Sequence, residues 1–132
     1  MGMMPMLLLD SQTVVWLLDD SPRLGARARA TIAAATEVYV SSATIWELTI
    51  KSMLGKLTIP VEFTEAVTSQ GLSVLDITGA HAEGIRHFPE LLRHDPFDRL
   101  IVSQAYCERL RLLTADAVLL GLEREFITDS TA

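Results

Sequence analysis

Four acidic residues stand where carboxylates could do chemistry. Asp10 follows the apolar run MLLL, Asp116 follows LRLLT, and Glu47 and Asp98 lie in stretches with helical spacing of apolar residues. Four carboxylates that meet without a counter-ion would repel one another and raise one another's pKa values. Oxygen ligands favour Mg²⁺ or Mn²⁺, which keep several waters and accept phosphate oxygens as further ligands. Such a site could hydrolyse a phosphodiester bond.

Each of these acids also has a purely structural interpretation. Asp10 and Asp116 could each cap the helix that follows. Asp98 comes three residues after Asp95 and Pro96, which have the residue types of a helix start, and negative charge is favoured there by the helix dipole. The apolar neighbours of Asp98 on the same helix face nevertheless predict that it points inward; they are Ile101, Val102 and Ala105.

The structural alternative for Glu47 is a capping box with Thr44. Ser41 and Ser42 are earlier and better helix starts, which places Glu47 in the second turn. Its helical neighbours Ile50 and Leu54 are apolar, so we expect Glu47 to lean toward a buried stripe.

The elements that must position these acids alternate along the chain. Apolar runs predict strands at 6–9, 37–41, 72–77 and 110–114, with a short final strand near 126–127. Helical patterns lie between them; one is predicted to begin with Ser21 as cap and Pro22 as first residue, and the last spans 116–125. Continuously apolar strands alternating with helices predict an α/β fold: a three-layer α/β/α domain with a central parallel sheet.

This architecture predicts that two of the acids are neighbours. In a parallel sheet the carboxyl ends of all strands lie on one edge, where ligands bind. Asp10 and Asp116 follow strands and should therefore lie on that edge together.

Composition limits the classes of protein that need considering. The chain of 132 residues is expected to form a single domain spanning 1–132. Its formal net charge of −6 argues against a broad basic face for nucleic acid. The single cysteine, Cys107, suits a reducing cytoplasm. The start of the chain lacks the pattern of a signal peptide, and no apolar run is long enough for a membrane span.

Apolar content suggests an association surface. Hydrophobic residues make up 49% of the chain, and we predict a homodimer. We expect both tryptophans, Trp16 and Trp46, in the core, with a surface for a partner as the alternative.

Other catalytic patterns are missing. The sequence has no zinc-type His/Cys spacing, no phosphate-binding glycine loop and no nucleophile elbow. His81, His87 and His94 are scattered, and we expect each to be structural or solvated.

The chain as a whole resembles a PIN-domain ribonuclease, specifically a VapC-type toxin of a bacterial toxin–antitoxin pair. The ordered stretches that carry the resemblance are LLLDSQTVVWLL, VSSATIWELTIKSMLGKL, HDPFDRLIVSQA and LLTAD. The resemblance implies a PIN fold, cleavage of RNA that depends on Mg²⁺ or Mn²⁺, and an antitoxin protein that blocks the site.

The resemblance also implies roles for individual residues. Asp10, Glu47, Asp98 and Asp116 fall on the acidic quartet of the family, as catalytic residues and metal ligands. Three further positions have supporting roles: Asp95 matches an additional acid, Thr114 a hydroxyl that contacts metal-bound water or phosphate, and Ser11 a hydroxyl after the first strand.

Two positions depart from the family pattern. Relatives usually have Asp-Thr-His after the first strand, where this chain has Gln12 in place of the histidine. The pair before Asp95 usually reads His-Arg, whereas here it is Arg93 and His94. Both departures could alter which RNA is accepted.

Three other functions are compatible with parts of the pattern. A Mg²⁺-dependent phosphatase or phospho-acceptor domain also has an aspartate after its first strand, but Gln12 and the C-terminal stretch FITDSTA lack its further residues. A non-catalytic interaction module would use the acids only as caps. A PIN nuclease for structured DNA usually carries extra domains.

Overall fold

Five parallel strands form one sheet in the computed structural model, which describes residues 6–132. The strands are β1 (Met6–Leu9), β2 (Glu37–Ser41), β3 (Ser73–Leu75), β4 (Arg111–Thr114) and β5 (Ile127–Asp129). Their order across the sheet is β3-β2-β1-β4-β5, and every neighbouring pair is parallel. In the centre of the sheet, Leu8 lies opposite Tyr39 on one side and Leu112 on the other. The predicted parallel sheet is confirmed, including its short final strand.

Seven helices flank this sheet within the described residues. They are α1 (Ser11–Leu18), α2 (Ala26–Ala34), α3 (Ser42–Met53), α4 (Phe63–Ser69), α5 (Gly79–Glu83), α6 (Pro96–Glu108) and α7 (Ala117–Leu120). Two short 3-10 turns, 84–87 and 89–91, lie between α5 and α6. The α/β/α fold is confirmed.

Alternation along β1 divides the core into two halves. Leu7 and Leu9 pack on one face of the sheet with residues of α1, α3 and α4, while Leu8 packs on the other with residues of α6 and α7. All three leucines are fully buried. A strand buried on both faces is apolar at successive positions, which explains the three leucines 7–9; Met6, at the start of the strand, is exposed.

The helix predicted from Ser21 begins later, at Ala26, and this expectation was wrong. Ser21 and Pro22 form a turn, in which Leu24 donates its N–H to the Ser21 carbonyl at 3.2 Å. The helix starts after Gly25 because distant backbone oxygens accept the free N–H groups of its first turn. Gly25 donates to the carbonyl of Ser130 at 2.9 Å, and Ala28 donates to Ala132 at 3.1 Å.

The expectation that both tryptophans lie in the core was also wrong. Trp46 is 63% exposed, with its ring edge-on to Phe97 at 5.5 Å between centroids, and Trp16 is half-buried. The inward face of α3 is taken by Ala43 and Leu48. Trp46 lies two residues before Leu48, which is about 200° around a helix, so the two side chains point in opposite directions.

The last helix is shorter than predicted, because α7 covers four residues and the chain then turns toward β5. No helix among residues 6–132 is long and apolar enough to cross a membrane. The first residues of the chain, on which the prediction about a signal peptide rests, lie outside the described residues.

Candidate metal centre

Asp10 lies at the carboxyl end of the central strand and is 4% exposed. It caps α1: its Oδ1 accepts the N–H of Thr13 at 2.8 Å, and its Oδ2 accepts the hydroxyl of Thr114 at 2.5 Å. Burial raises the pKa of Asp10, and the hydrogen bonds from Thr114 and Thr13 lower it by less. Asp10 is therefore both a helix cap and an acid held in a fixed orientation.

Glu47 lies in the second turn of α3, and Ser41 caps this helix, as predicted. Its Oε1 accepts the hydroxyl of Ser11 at 2.5 Å, and its Oε2 pairs with Nζ of Lys51 at 2.9 Å. The side chain is only 12% exposed. Two partners on different elements thus hold both oxygens in place.

Asp98 stands in the first turn of α6 but does not cap it. Asp95 caps the helix, accepting the N–H groups of Phe97 at 2.9 Å and Asp98 at 3.3 Å. The three apolar neighbours of Asp98 on its face of the helix are buried, as predicted. The Asp98 carboxylate is left free of backbone capping, and its Oδ2 lies 3.1 Å from Nε2 of His94.

The surroundings of Asp98 raise its pKa to about 7. Burial is the largest cause, followed by repulsion from Asp116, Asp95 and Asp10, while His94 opposes the shift. The predicted repulsion among the acids is thus present on this residue.

Asp116 follows β4 and caps α7. Its Oδ1 accepts the N–H groups of Val118 at 2.9 Å and Leu119 at 3.0 Å. Its own N–H donates to the hydroxyl of Thr114 at 3.0 Å. Since Thr114 also donates to Asp10, one buried hydroxyl connects the acids that follow the two central strands.

All four acids of the predicted quartet line one open cleft of about 690 Å³. Asp95 and Ser11 line it too, whereas Thr114 is fully buried behind Asp10. The strand order explains the position of this cleft. After β1 the chain adds β2 and β3 on one side of that strand, and then β4 on the other side. The acids therefore lie where the strand order reverses. In open parallel sheets, ligands bind at this point.

Sequence reasoning missed two groups that line this cleft and a third that lies beside two of its acids. His94 was expected to be structural or solvated, but its Nε2 lies between Asp98 and Asp116, 3.7 Å from Oδ1 of the latter. Lys51 and Lys56 bring positive charge to the cleft. The spacing of Lys51 four residues after Glu47 was a usable signal, because side chains at this spacing meet on a helix. His94 stands four residues before Asp98 but outside the helix, so only the fold brings the two together.

The donor set is suitable for a divalent cation. Ligand atoms of His94, Asp98 and Asp116 all lie within 4.8 Å of one another. The carboxylates of Asp10 and Glu47 line the same cleft, and a cation would relieve the repulsion on Asp98. Carboxylate oxygens with open positions suit Mg²⁺ and Mn²⁺.

Comparison with known proteins identifies the class. The model of the PIN domain family matches residues 7–124, so the chain belongs to the PIN domain family, whose members are generally nucleases. No curated protein matches the chain by sequence.

Solved structures with this fold include toxin–antitoxin complexes. One is a toxin–antitoxin complex from Klebsiella pneumoniae, with 18% identity, a TM-score of 0.63, and coverage of 92% of this chain and 94% of that chain. VapBC2 from Rickettsia felis, bound to a DNA fragment from its promoter, has 16% identity and a TM-score of 0.66 over 94% of this chain and 98% of that chain. DNA-bound VapBC from Salmonella typhimurium has 25% identity and a TM-score of 0.63 over 96% and 98% respectively.

Proposed function

We propose that this protein is a metal-dependent endoribonuclease, the VapC-type toxin of a toxin–antitoxin pair, consisting of a single PIN domain over residues 1–132. The observation that carries the proposal is the convergence of four carboxylates, from four separate parts of a PIN fold, on one cleft. The similarity to VapBC complexes supports an antitoxin as partner. In this proposal the toxin arrests growth in the cytoplasm unless the antitoxin neutralises it.

The proposed ligands are Asp10, Glu47, Asp98 and Asp116. Mg²⁺ or Mn²⁺ bound among them would activate water and neutralise charge on the scissile phosphate. Because the pKa of Asp98 is about 7, its carboxyl keeps a proton in many molecules at neutral pH. It would lose this proton to solvent when a cation binds.

The other cleft residues orient these acids and attract the substrate. Thr114 and Ser11 fix the carboxylates of Asp10 and Glu47 through hydrogen bonds, and Asp95 fixes the start of α6. Lys51 and Lys56 offer ammonium groups to the phosphate backbone in an otherwise acidic cleft. With a formal net charge of −6, such local contacts suit binding to a few nucleotides better than to a long duplex.

The test is cleavage of total bacterial RNA by purified protein, with new RNA ends mapped by sequencing. We expect cleavage with Mg²⁺ or Mn²⁺ that stops in EDTA and is lost in Asp116→Asn. The amide oxygen of asparagine can still cap α7, so this variant removes charge at little cost to the fold.

Asp76→Asn is the matched control, because Asp76 also follows a strand, β3, but is exposed and does not line the cleft. Its activity should equal wild type. Equal cleavage in EDTA, or equal cleavage by Asp116→Asn, would overturn the proposal. Cleavage of DNA but not RNA would overturn the substrate class alone.

A further inference from the structure

The position of His94 places a ring nitrogen beside two of the carboxylates that line the cleft. Nε2 lies 3.1 Å from Oδ2 of Asp98 and 3.7 Å from Oδ1 of Asp116. The side chains of His94 and Asp98 are each 21% exposed, and that of Asp116 is 30% exposed, so all three are reachable from solvent without lying on the open surface.

The backbone around His94 is held firmly. His94 donates its N–H to the carbonyl of Leu91 at 3.0 Å, and Arg99 donates from Nη1 to the carbonyl of Leu92 at 2.7 Å. The next residue, Asp95, caps α6 with two hydrogen bonds. These bonds fix the segment relative to the helix that carries Asp98, and a ligand held on ordered elements needs little rearrangement to bind.

The order of two residues decides which side chain occupies this place. The sequence here reads Arg93 and then His94. With this order it is an imidazole, and not a guanidinium, that precedes the helix cap and lies against the two acids. An imidazole can bind a metal ion through an unprotonated nitrogen, whereas a guanidinium remains charged and cannot.

We propose that Nε2 of His94 is a metal ligand together with Asp98 and Asp116, so that the site prefers Mn²⁺ over Mg²⁺ more strongly than carboxylates alone would. The proposal rests on the metal dependence in the proposed function. Imidazole nitrogen is a better donor to Mn²⁺ and later transition ions than to Mg²⁺, which prefers oxygen and holds its waters firmly.

The other two histidines cannot replace it. His81 is buried, with Nδ1 accepting the N–H of Thr78 at 3.1 Å and Nε2 paired with Glu108 at 2.7 Å. The ring of His87 packs against Tyr106 with 4.6 Å between centroids, and it is His94, not His87, whose ligand atom clusters with those of Asp98 and Asp116. His87→Gln is therefore a matched control for His94→Gln.

The experiment uses Mn²⁺ and Mg²⁺ alone, at one fixed pH and without substrate. Pulsed electron paramagnetic resonance of the Mn²⁺ complex should detect coupling to an imidazole nitrogen in wild type and His87→Gln, but not in His94→Gln. Calorimetric titration should give a Kd for Mn²⁺ that is weaker by about tenfold in His94→Gln, the lower end of losses seen when groups around a metal are changed. The Kd for Mg²⁺ should change much less.

The possible results separate this inference from the proposed function. If wild type binds Mn²⁺, and Asp116→Asn does not, but no nitrogen coupling is seen, then His94 is no ligand and the metal site stands without it. The same conclusion follows if His94→Gln weakens both metals equally. If wild type binds neither ion at millimolar concentration, both the inference and the proposed metal dependence are wrong.

Discussion

The hydroxyl of Thr114 donates a 2.5 Å hydrogen bond to Oδ2 of Asp10, joining the carboxyl ends of β4 and β1. Both side chains are buried, and the same hydroxyl oxygen accepts the N–H of Asp116 at 3.0 Å. One hydroxyl therefore sets the relative positions of two proposed metal ligands from neighbouring strands.

Replacing Thr114 by valine should weaken both the fold and the metal site. Thr114→Val keeps the shape but removes the hydroxyl that donates to Oδ2 of Asp10 and leaves the Asp116 N–H without this acceptor. A buried unsatisfied group costs about 1–3 kcal/mol, so urea unfolding should show a loss of that size. The pKa of Asp10 should rise further, because a hydrogen bond that lowers it is gone. Thr114→Ser keeps the hydroxyl and should lose much less; equal losses in the two variants would contradict this explanation.

Neutralising Asp98 should stabilise the metal-free protein at neutral pH. Folding raises the pKa of Asp98 from its ordinary 3.8 to about 7, so between these values the folded state binds more protons than the unfolded state. The contribution of Asp98 to the free energy of unfolding is therefore fully present below about pH 4 and is lost as the pH rises through 7. In EDTA at pH 7.5 the free energy of unfolding of Asp98→Asn should exceed that of wild type by on the order of 1 kcal/mol after allowing for solvent screening, so the variant should melt at a higher temperature.

Comparing Asp98→Asn with wild type at low pH and with Mn²⁺ tests whether the charge of Asp98 causes this difference. Near pH 4 the difference between Asp98→Asn and wild type should vanish. With millimolar Mn²⁺, wild type should gain stability by mass action and the variant much less. A variant that melts lower in EDTA yet keeps the full gain with Mn²⁺ would show that Asp98 serves only the start of α6.

Growth of a bacterial host should reveal toxicity and its dependence on Asp10. Induced wild-type protein without an antitoxin should arrest growth, and Asp10→Asn should relieve the arrest at equal protein level, because the central carboxylate is lost. Asp76→Asn should remain toxic. Immunoblotting must confirm equal amounts of each protein; arrest by a well-expressed Asp10→Asn would remove the argument for a metal site.

The apolar residues exposed on and after α3 predict an association surface. Trp46, Met53, Leu54 and Val61 are 63%, 82%, 64% and 102% exposed. We expect light scattering at micromolar concentration to give twice the mass of one chain, and Met53→Lys with Leu54→Lys to give a monomer. Leu92→Lys, 62% exposed on the other layer, is the control and should remain dimeric. A monomeric wild type would contradict the prediction.

Much of the fold could be predicted from the sequence, because its signals are local. Three successive leucines, 7–9, are typical of a strand covered on both faces, and Asp95 with Pro96 marks a helix start by its own chemistry. The start of α2 could not be predicted from local sequence. The backbone oxygens that accept hydrogen bonds from its free N–H groups belong to residues 130 and 132, about a hundred positions away. Ser21 and Pro22 have a locally favourable pattern that these distant contacts override.

For the candidate site, the sequence alone predicted which four acids take part. It also predicted that two of them lie on the same edge of the sheet, because parallel strands end on a common edge. Only the tertiary structure decided that Thr114 binds Asp10, that Ser11 and Lys51 hold Glu47, and that His94 lies between Asp98 and Asp116. These contacts depend on side-chain direction and on the packing of α6 and α3 against the sheet. A spacing along the chain carries the period of a helix or strand, but not the distance between two elements that meet in space.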